Sequence, residues 1–169
     1  MVPHPAACAY NTSVMFCAGR ATTRFGVAVP FLLILVTSAG AQQPPVAGLV
    51  KTLAGTVLIV HEGQQMPAAI GRPLTQGDTV RTGADGRIGI TLKDGTRLAL
   101  GSNTELRIDT FAFSPEEGRL GLALKLLRGV AEYISGRIAQ LAPGTVKIET
   151  PASVIGVRGT HLLIGVEQP

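Results

Sequence analysis

The sequence predicts an all-β fold: a single domain of short antiparallel strands, arranged as a sandwich, roll or solenoid-like stack, behind an N-terminal signal peptide. Three observations predict it. Apolar residues alternate at period two between Arg87 and Leu100, and turn-forming clusters recur at intervals of about eight to twelve residues. The one leucine-rich run that could suit a helix is punctuated by Gly118, Gly121 and Gly129. A chain of 169 residues matches one domain, and 46% hydrophobic content suffices for a core. With 4% aromatics, no Trp, 21 Gly and 11 Pro, that core is aliphatic and the chain turns often.

The chain opens on a segment for export. Arg20 and Arg24 precede the apolar run "FGVAVPFLLILV" (25–36), and Ala39 and Ala41 stand as the small residues before a cleavage point at Gln42. The run is well short of the ~20 apolar residues of a membrane span, and Pro30 interrupts it. Residues 1–41 are therefore read as a signal peptide, with Met15 as an alternative start. Both cysteines, Cys8 and Cys17, lie within it, so the mature chain has no disulfide. Removing residues 1–41 takes Arg20 and Arg24 and no acidic residue, so 15 basic against 11 acidic groups become 13 against 11, a net of only +2.

Residues 42–52 follow as a linker, because Pro44 and Pro45 fix φ and remove donors. β-branched "GTVLIV" (55–60) is the first strand, "HEGQQ" (61–65) a turn, and "TQGD" (75–78) a second turn before "TVRT". In "RIGITLKDGTRLALG" (87–101), Ile88, Ile90 and Leu92 alternate with Arg87, Gly89, Thr91 and Lys93, giving a strand with one buried face. Asp94-Gly95 sits where a two-residue hairpin needs positive φ, and Leu98 and Leu100 resume the apolar face. After "GSNT", Leu106 and Ile108 keep the rule. Leu120, Leu122, Leu124 and Leu126 alternate with small residues in a longer strand; as a helix this stretch would lose about 1 kcal/mol per glycine relative to Ala. "GVAEYISG" (129–136), "TVKIET" (145–150), "ASVIGV" (152–157) and "HLLIGV" (161–166) complete the strands, and no helix is expected outside the presequence.

The residue types that could carry chemistry do not combine. His61 and His161 each stand alone, without a spacing that gives a metal two ligands from one element. Ser102, Ser114, Ser135 and Ser153 lack a nucleophile-elbow context. Asp78, Asp85 and Asp94 sit in glycine-flanked turns, where such carboxylates satisfy local backbone donors. No catalytic residue, metal site or cofactor is expected, and the dispersed cations and scarce aromatics exclude nucleic acid. Arg158 stands between apolar neighbours, with Gly156 and Gly159 free to adopt unusual backbone shapes. Two readings of it stay open: a tight connection pointing the side chain at solvent, or a guanidinium drawn inward to Asp78 or Asp94.

The order "GTVLIV", "PLTQGDTVRTGADGRIGITLKDGTRLALGSNTELRID", "LKLLRGVAEY" and "VKIETPASVIGVRGTHLLIGV" resembles the FecR domain, the exported β-rich module of iron-dicitrate-type sigma-factor regulators. The resemblance runs over residues 53–167 and rests on Gly77-Asp78, Asp94-Gly95, Gly129, Thr150-Pro151, Gly156 and Arg158-Gly159-Thr160 in sequence. In the family's best-known members the module belongs to a chain with a cytoplasmic sigma-binding region, one transmembrane helix and a periplasmic part that senses an outer-membrane receptor. Here 24 residues precede the apolar run and three follow Val166, so the expectation is a free-standing periplasmic FecR-like domain. Its implied role is to bind an envelope protein partner, in signalling or scaffolding, through strand edges or small-residue faces such as Gly121 and Ala123. The alternatives are a peptidoglycan- or glycan-associated accessory and a membrane-anchored regulator that keeps its signal segment.

Overall fold

The computed structural model describes residues 45–158 and 161–167. The chain divides into two units, Met1–Gly40 and Ala41–Pro169, and every described element belongs to the second. The signal peptide, Met15, both cysteines, Gly159 and Thr160 lie outside the described residues. The strands in chain order are β1 (Val46–Ala54), β2 (Val57–His61), β3 (Gln64–Pro67), β4 (Pro73–Thr75), β5 (Thr79–Thr82) and β6 (Arg87–Leu92). They continue with β7 (Arg97–Leu100), β8 (Glu105–Ser114), β9 (Arg119–Ile134), β10 (Val146–Glu149), β11 (Val154–Gly156) and β12 (His161–Val166). A 3-10 turn at Pro115–Glu117 joins β8 to β9, and a short helix, α1 (Arg137–Leu141), follows β9.

β9 organises the sheet. Its first part pairs with β8 on one side and, in parallel, with β10 on the other; its last part pairs with β7 and β12. Two halves therefore share it, β4-β1-β6-β7-β9-β12 and β3-β2-β5-β8-β9-β10-β11, and the sheet curls so that both bury their inner faces in one core. The leucines at 122, 124 and 126 point inward, but beyond them the inward residues are Ala131 and Tyr133. A one-residue slip explains the change from even to odd positions: pairing passes from Leu106↔Leu126 to Glu105↔Arg128, leaving Leu127 as a bulge. β8 does the same at Asp109, so buried Leu106 and Ile108 give way to buried Phe111.

The corner after the bulge needs a glycine. Gly129 has φ +84°, and a Cβ there would lie 2.6 Å from Thr104 Cα. Thr104 is fully buried, and its Oγ1 accepts the Val130 N–H at 3.0 Å, fixing the strand as it enters the second half.

Five differences between the structure and the sequence reading have a direct physical reason. The linker expected over 42–52 gives way to β1 at Val46, because Ala47 and Val50 are fully buried and the strand is held by β4 and β6 on its two sides. The turn expected over 61–65 contracts to Glu62-Gly63, both at positive φ (48° and 82°), with Gln64 and Gln65 already in β3. The hairpin at 94–95 has a three-residue loop, Lys93 to Gly95: the Gly95 N–H donates to Leu92 O at 3.0 Å, the Leu92 N–H to Thr96 O at 2.8 Å, and only Gly95 has positive φ. The strands expected at 120–126 and 129–136 are one continuous β9. Helix α1 forms because Asp94, 44 residues earlier than Ile138, accepts backbone donors at its start, and Ile138 is fully buried.

Candidate functional site

The three turn aspartates hold the scaffold. Asp78 is almost fully buried; its Oδ2 accepts the Thr75 N–H at 2.7 Å and its Oδ1 lies 2.6 Å from His61 Nδ1, joining the β4–β5 turn to β2. That hydrogen bond, and then the Asp78 charge, hold the His61 pKa above its usual 6.5. Gly77 in the same turn donates its N–H to Ile108 O at 2.7 Å. Asp85 accepts the Thr56 N–H at 3.3 Å. Asp94 is fully buried, and its carboxylate accepts Thr96 Oγ1 at 2.7 Å, the Thr96 N–H at 3.1 Å and the Ile138 N–H at 3.4 Å.

The remaining motif residues also sit at separate corners. Thr150 and Pro151 form the β10–β11 turn, with the Thr150 N–H donating to Ser153 O at 2.8 Å. Gly156 pairs with Lys147 in β11 without a positive φ, so the special backbone freedom expected of it is not used. Arg158 is exposed, and Asp78 and Asp94 are engaged by other donors, which leaves the solvent-facing reading of this arginine. No hydrogen bond among the described residues joins one of these turns to another, so the motif does not converge on a reaction centre. Among the same residues no group of three or more His, Cys, Asp or Glu could hold a metal ion.

A surface with the attributes of a binding site lies elsewhere, on the outer face of the β4-β1-β6-β7-β9-β12 half. Thr52, Gly89, Ala99, Glu132 and Leu163 stand opposite one another in unbroken register across β1, β6, β7, β9 and β12. Because Gly89 and Ala99 are small, this row sinks into a shallow groove of about 380 Å³ that adjoins a second of about 250 Å³, both lined by Thr52, Gly89, Ala99 and Glu132. Leu163, 70% exposed, and Val130, 45% exposed, stand at one rim. Among the described residues β12 pairs only with β9, so its other edge continues this rim with unpaired backbone groups.

Charge is distributed unevenly between the two halves. On the β5-β8-β9-β10 side most cations have carboxylates: Arg81 and Arg128 share Glu105 at 2.8 and 3.3 Å, Arg107 pairs with Asp109 at 3.2 Å, and Lys125 with Glu149 at 3.9 Å, while the exposed Lys147 in β10 enters no ion pair among the described residues. Around the groove, Lys51, Arg87 and Arg97 enter no ion pair among the described residues. The one carboxylate lining it, Glu132, is bound to His161 Nε2 at 2.7 Å.

The family model described as FecR protein matches residues 78–169, more than half of the chain. The chain belongs to the FecR family. FecR domains are periplasmic and regulatory rather than enzymatic in that family. The match takes in β5 to β12, the part of this FecR domain that contains β9, both its bulge and its glycine corner. A solved structure described as a cell surface anchoring domain is 31% identical, with 36% of this chain and 82% of that chain covered and a TM-score of 0.35. A comparison with curated proteins finds no match. No helix among the described residues of the FecR-family chain is long and apolar enough to cross a membrane.

Sequence reasoning placed the small-residue face at Gly121 and Ala123. Those residues lie on the outer face of the other half, opposite Ala112 and Thr110 in β8, and Ala123 also faces Lys147 in β10. The signal for the groove was present in the same alternation that gave β6 and β7, since Gly89 and Ala99 occupy its outward positions. Only the register across five strands reveals that they meet Thr52, Glu132 and Leu163.

Proposed function

We propose that this FecR-family chain is a non-enzymatic periplasmic module that binds an envelope protein partner, in signalling or scaffolding, through the grooved outer face beside β12. The observation that carries this reading is the in-register row Thr52-Gly89-Ala99-Glu132-Leu163, a recess floored by small side chains with an exposed leucine at its rim. Such a recess lets a second backbone approach, and the exposed leucine gives a partner apolar area to cover. Family membership supports the periplasmic setting and the absence of a reaction. The exported unit begins near Gln42 after cleavage of residues 1–41, and intact mass of the mature chain tests that boundary.

The binding test is photo-crosslinking in living cells from a reactive residue at position 163. A discrete protein adduct is expected that disappears in Ala99→Glu, while the variant's thermal unfolding stays close to that of the parent. Absence of any adduct from this face, or an adduct indifferent to Ala99→Glu, would reject the assignment. Retention on purified peptidoglycan, lost in the same variant, would favour the glycan-accessory alternative.

A further inference from the structure

Resting on that reading of the groove as a protein-binding site, we propose that its occupant is an acidic, extended segment of the partner, with carboxylates two positions either side of a small apolar residue. Arg97 stands opposite Thr91, so Arg87 and Arg97 are separated by four residues along the strand direction, with Gly89 at the midpoint. At the rise of about 3.3 Å per residue that separation is roughly 13 Å. An extended segment laid along β6 repeats the same spacing: its residues i and i+4 point to one face and fall over Arg87 and Arg97, while i+2 points between them onto Ala99 and the Thr52 hydroxyl that covers Gly89.

Charge supports the same orientation. Lys51 sits in the β1 bulge at the level of Gly89 and Ile90, adding a third cation at the margin. Glu132, the carboxylate of the groove, hydrogen-bonds His161, and one carboxylate against three cations leaves a net positive field facing an incoming segment. On the opposite half Arg81, Arg107, Lys125 and Arg128 have carboxylate partners and Lys147 stands alone, so no comparable cluster of unpaired cations faces outward there among the described residues. Unpaired cations around a recess steer an oppositely charged partner and reject a like-charged one. The small floor matters because a larger side chain at Ala99 would hold the segment off, near the ~10 Å spacing of ordinary packed sheets, whereas at Gly89 the Thr52 hydroxyl already takes the place of a Cβ.

The test uses the full chain and short labelled peptides with the core Glu-Thr-Val-Thr-Glu, its Lys-Thr-Val-Thr-Lys counterpart, and a respaced version with the two Glu adjacent, followed by fluorescence anisotropy. The Glu peptide should bind, weaken as salt rises, and lose about tenfold or more in affinity on Arg87→Glu with Arg97→Glu. The Lys peptide and the respaced peptide should bind at least as weakly as the Glu peptide binds that double variant. If circular dichroism shows that the double reversal disturbs folding, Arg87→Gln with Arg97→Gln replaces it, with a loss in the same direction. Failure of the Glu peptide to bind, equal binding to parent and variant, or equal binding of the respaced peptide overturns the proposal. Polyphosphate competing as well as the Glu peptide also overturns it, in favour of a polyanion. A position-163 adduct that survives the double reversal would sink the acidic segment and leave protein binding intact, whereas the absence of adducts removes the protein-binding reading itself.

Discussion

At the scale of single residues, the chain spends its buried polar groups on turns. Asp94 satisfies donors from Thr96 and from the start of α1 in a site without solvent, so Asp94→Ala leaves those donors unpaired. A loss of about 2–4 kcal/mol in urea unfolding is expected. Gly129→Ala meets Thr104 and forces a side chain into positive φ, and the backbone term alone amounts to about 1–3 kcal/mol. Gly121→Ala is the matched control, because a Cβ there has nothing within 4 Å, and its unfolding midpoint should stay within experimental error. His61 gives a pH signature. Its pKa is raised in the folded state, chiefly by the hydrogen bond to Asp78 and next by that carboxylate's charge, with Glu62 adding to the rise and Arg72 and burial opposing it. A raised pKa means that the contribution is complete below the unfolded value of 6.5 and is lost as pH climbs through the higher folded value. Stability should therefore fall on going from mildly acidic to mildly alkaline buffer, and His61→Gln should flatten that segment of the profile. The turn aspartates were legible in the sequence as local staples. Their distant partners, His61 for Asp78 and Ile138 for Asp94, were not, because each contact joins segments that only tertiary packing brings together.

At the scale of elements, the two bulges decide which residues are core. A strand buries one side-chain parity, and one extra residue exchanges the parities. Leu127 makes that exchange in β9, so that Leu122, Leu124 and Leu126 face the same core as Ala131 and Tyr133. Deleting Leu127 would restore a single parity and turn either the leucines or Ala131 and Tyr133 toward solvent. The deletion should abolish the sharp thermal transition by circular dichroism, whereas the exposed Leu163→Ala substitution should leave it in place. The sequence showed the strands on either side of this slip clearly. It split them at Gly129 because an isolated glycine reads as a boundary, when here it is the bend within one sixteen-residue strand. The short pieces β3, β4 and α1 escaped notice for a related reason: each is too brief for a periodic signal and is stabilised by its neighbours.

At the scale of the whole folded unit, the core is one cluster to which both halves of the sheet contribute, from Val50 and Ile90 on one side to Ile59 and Leu124 on the other. Truncating Leu124, fully buried in the strand that both halves share, should cost about 2–5 kcal/mol. Because the halves lack separate cores, unfolding followed by circular dichroism and by hydrogen exchange in β2 and β6 should shift together in that variant. An early loss confined to one half would contradict the shared core. By itself the sequence determined the all-β class, the main strands, the inward parity of Ile88, Ile90 and Leu92, of Leu98 and Leu100, of Leu106 and Ile108 and of Leu122, Leu124 and Leu126, and the turns at Asp78 and Asp94, since these follow from local periodicity and turn chemistry. Tertiary structure alone decided how the strands align, which outward residues meet across five of them, and which cations are left without carboxylates. Those properties depend on register between segments far apart in the chain, and no local pattern encodes them; the groove and its charge exist only once the strands are laid side by side.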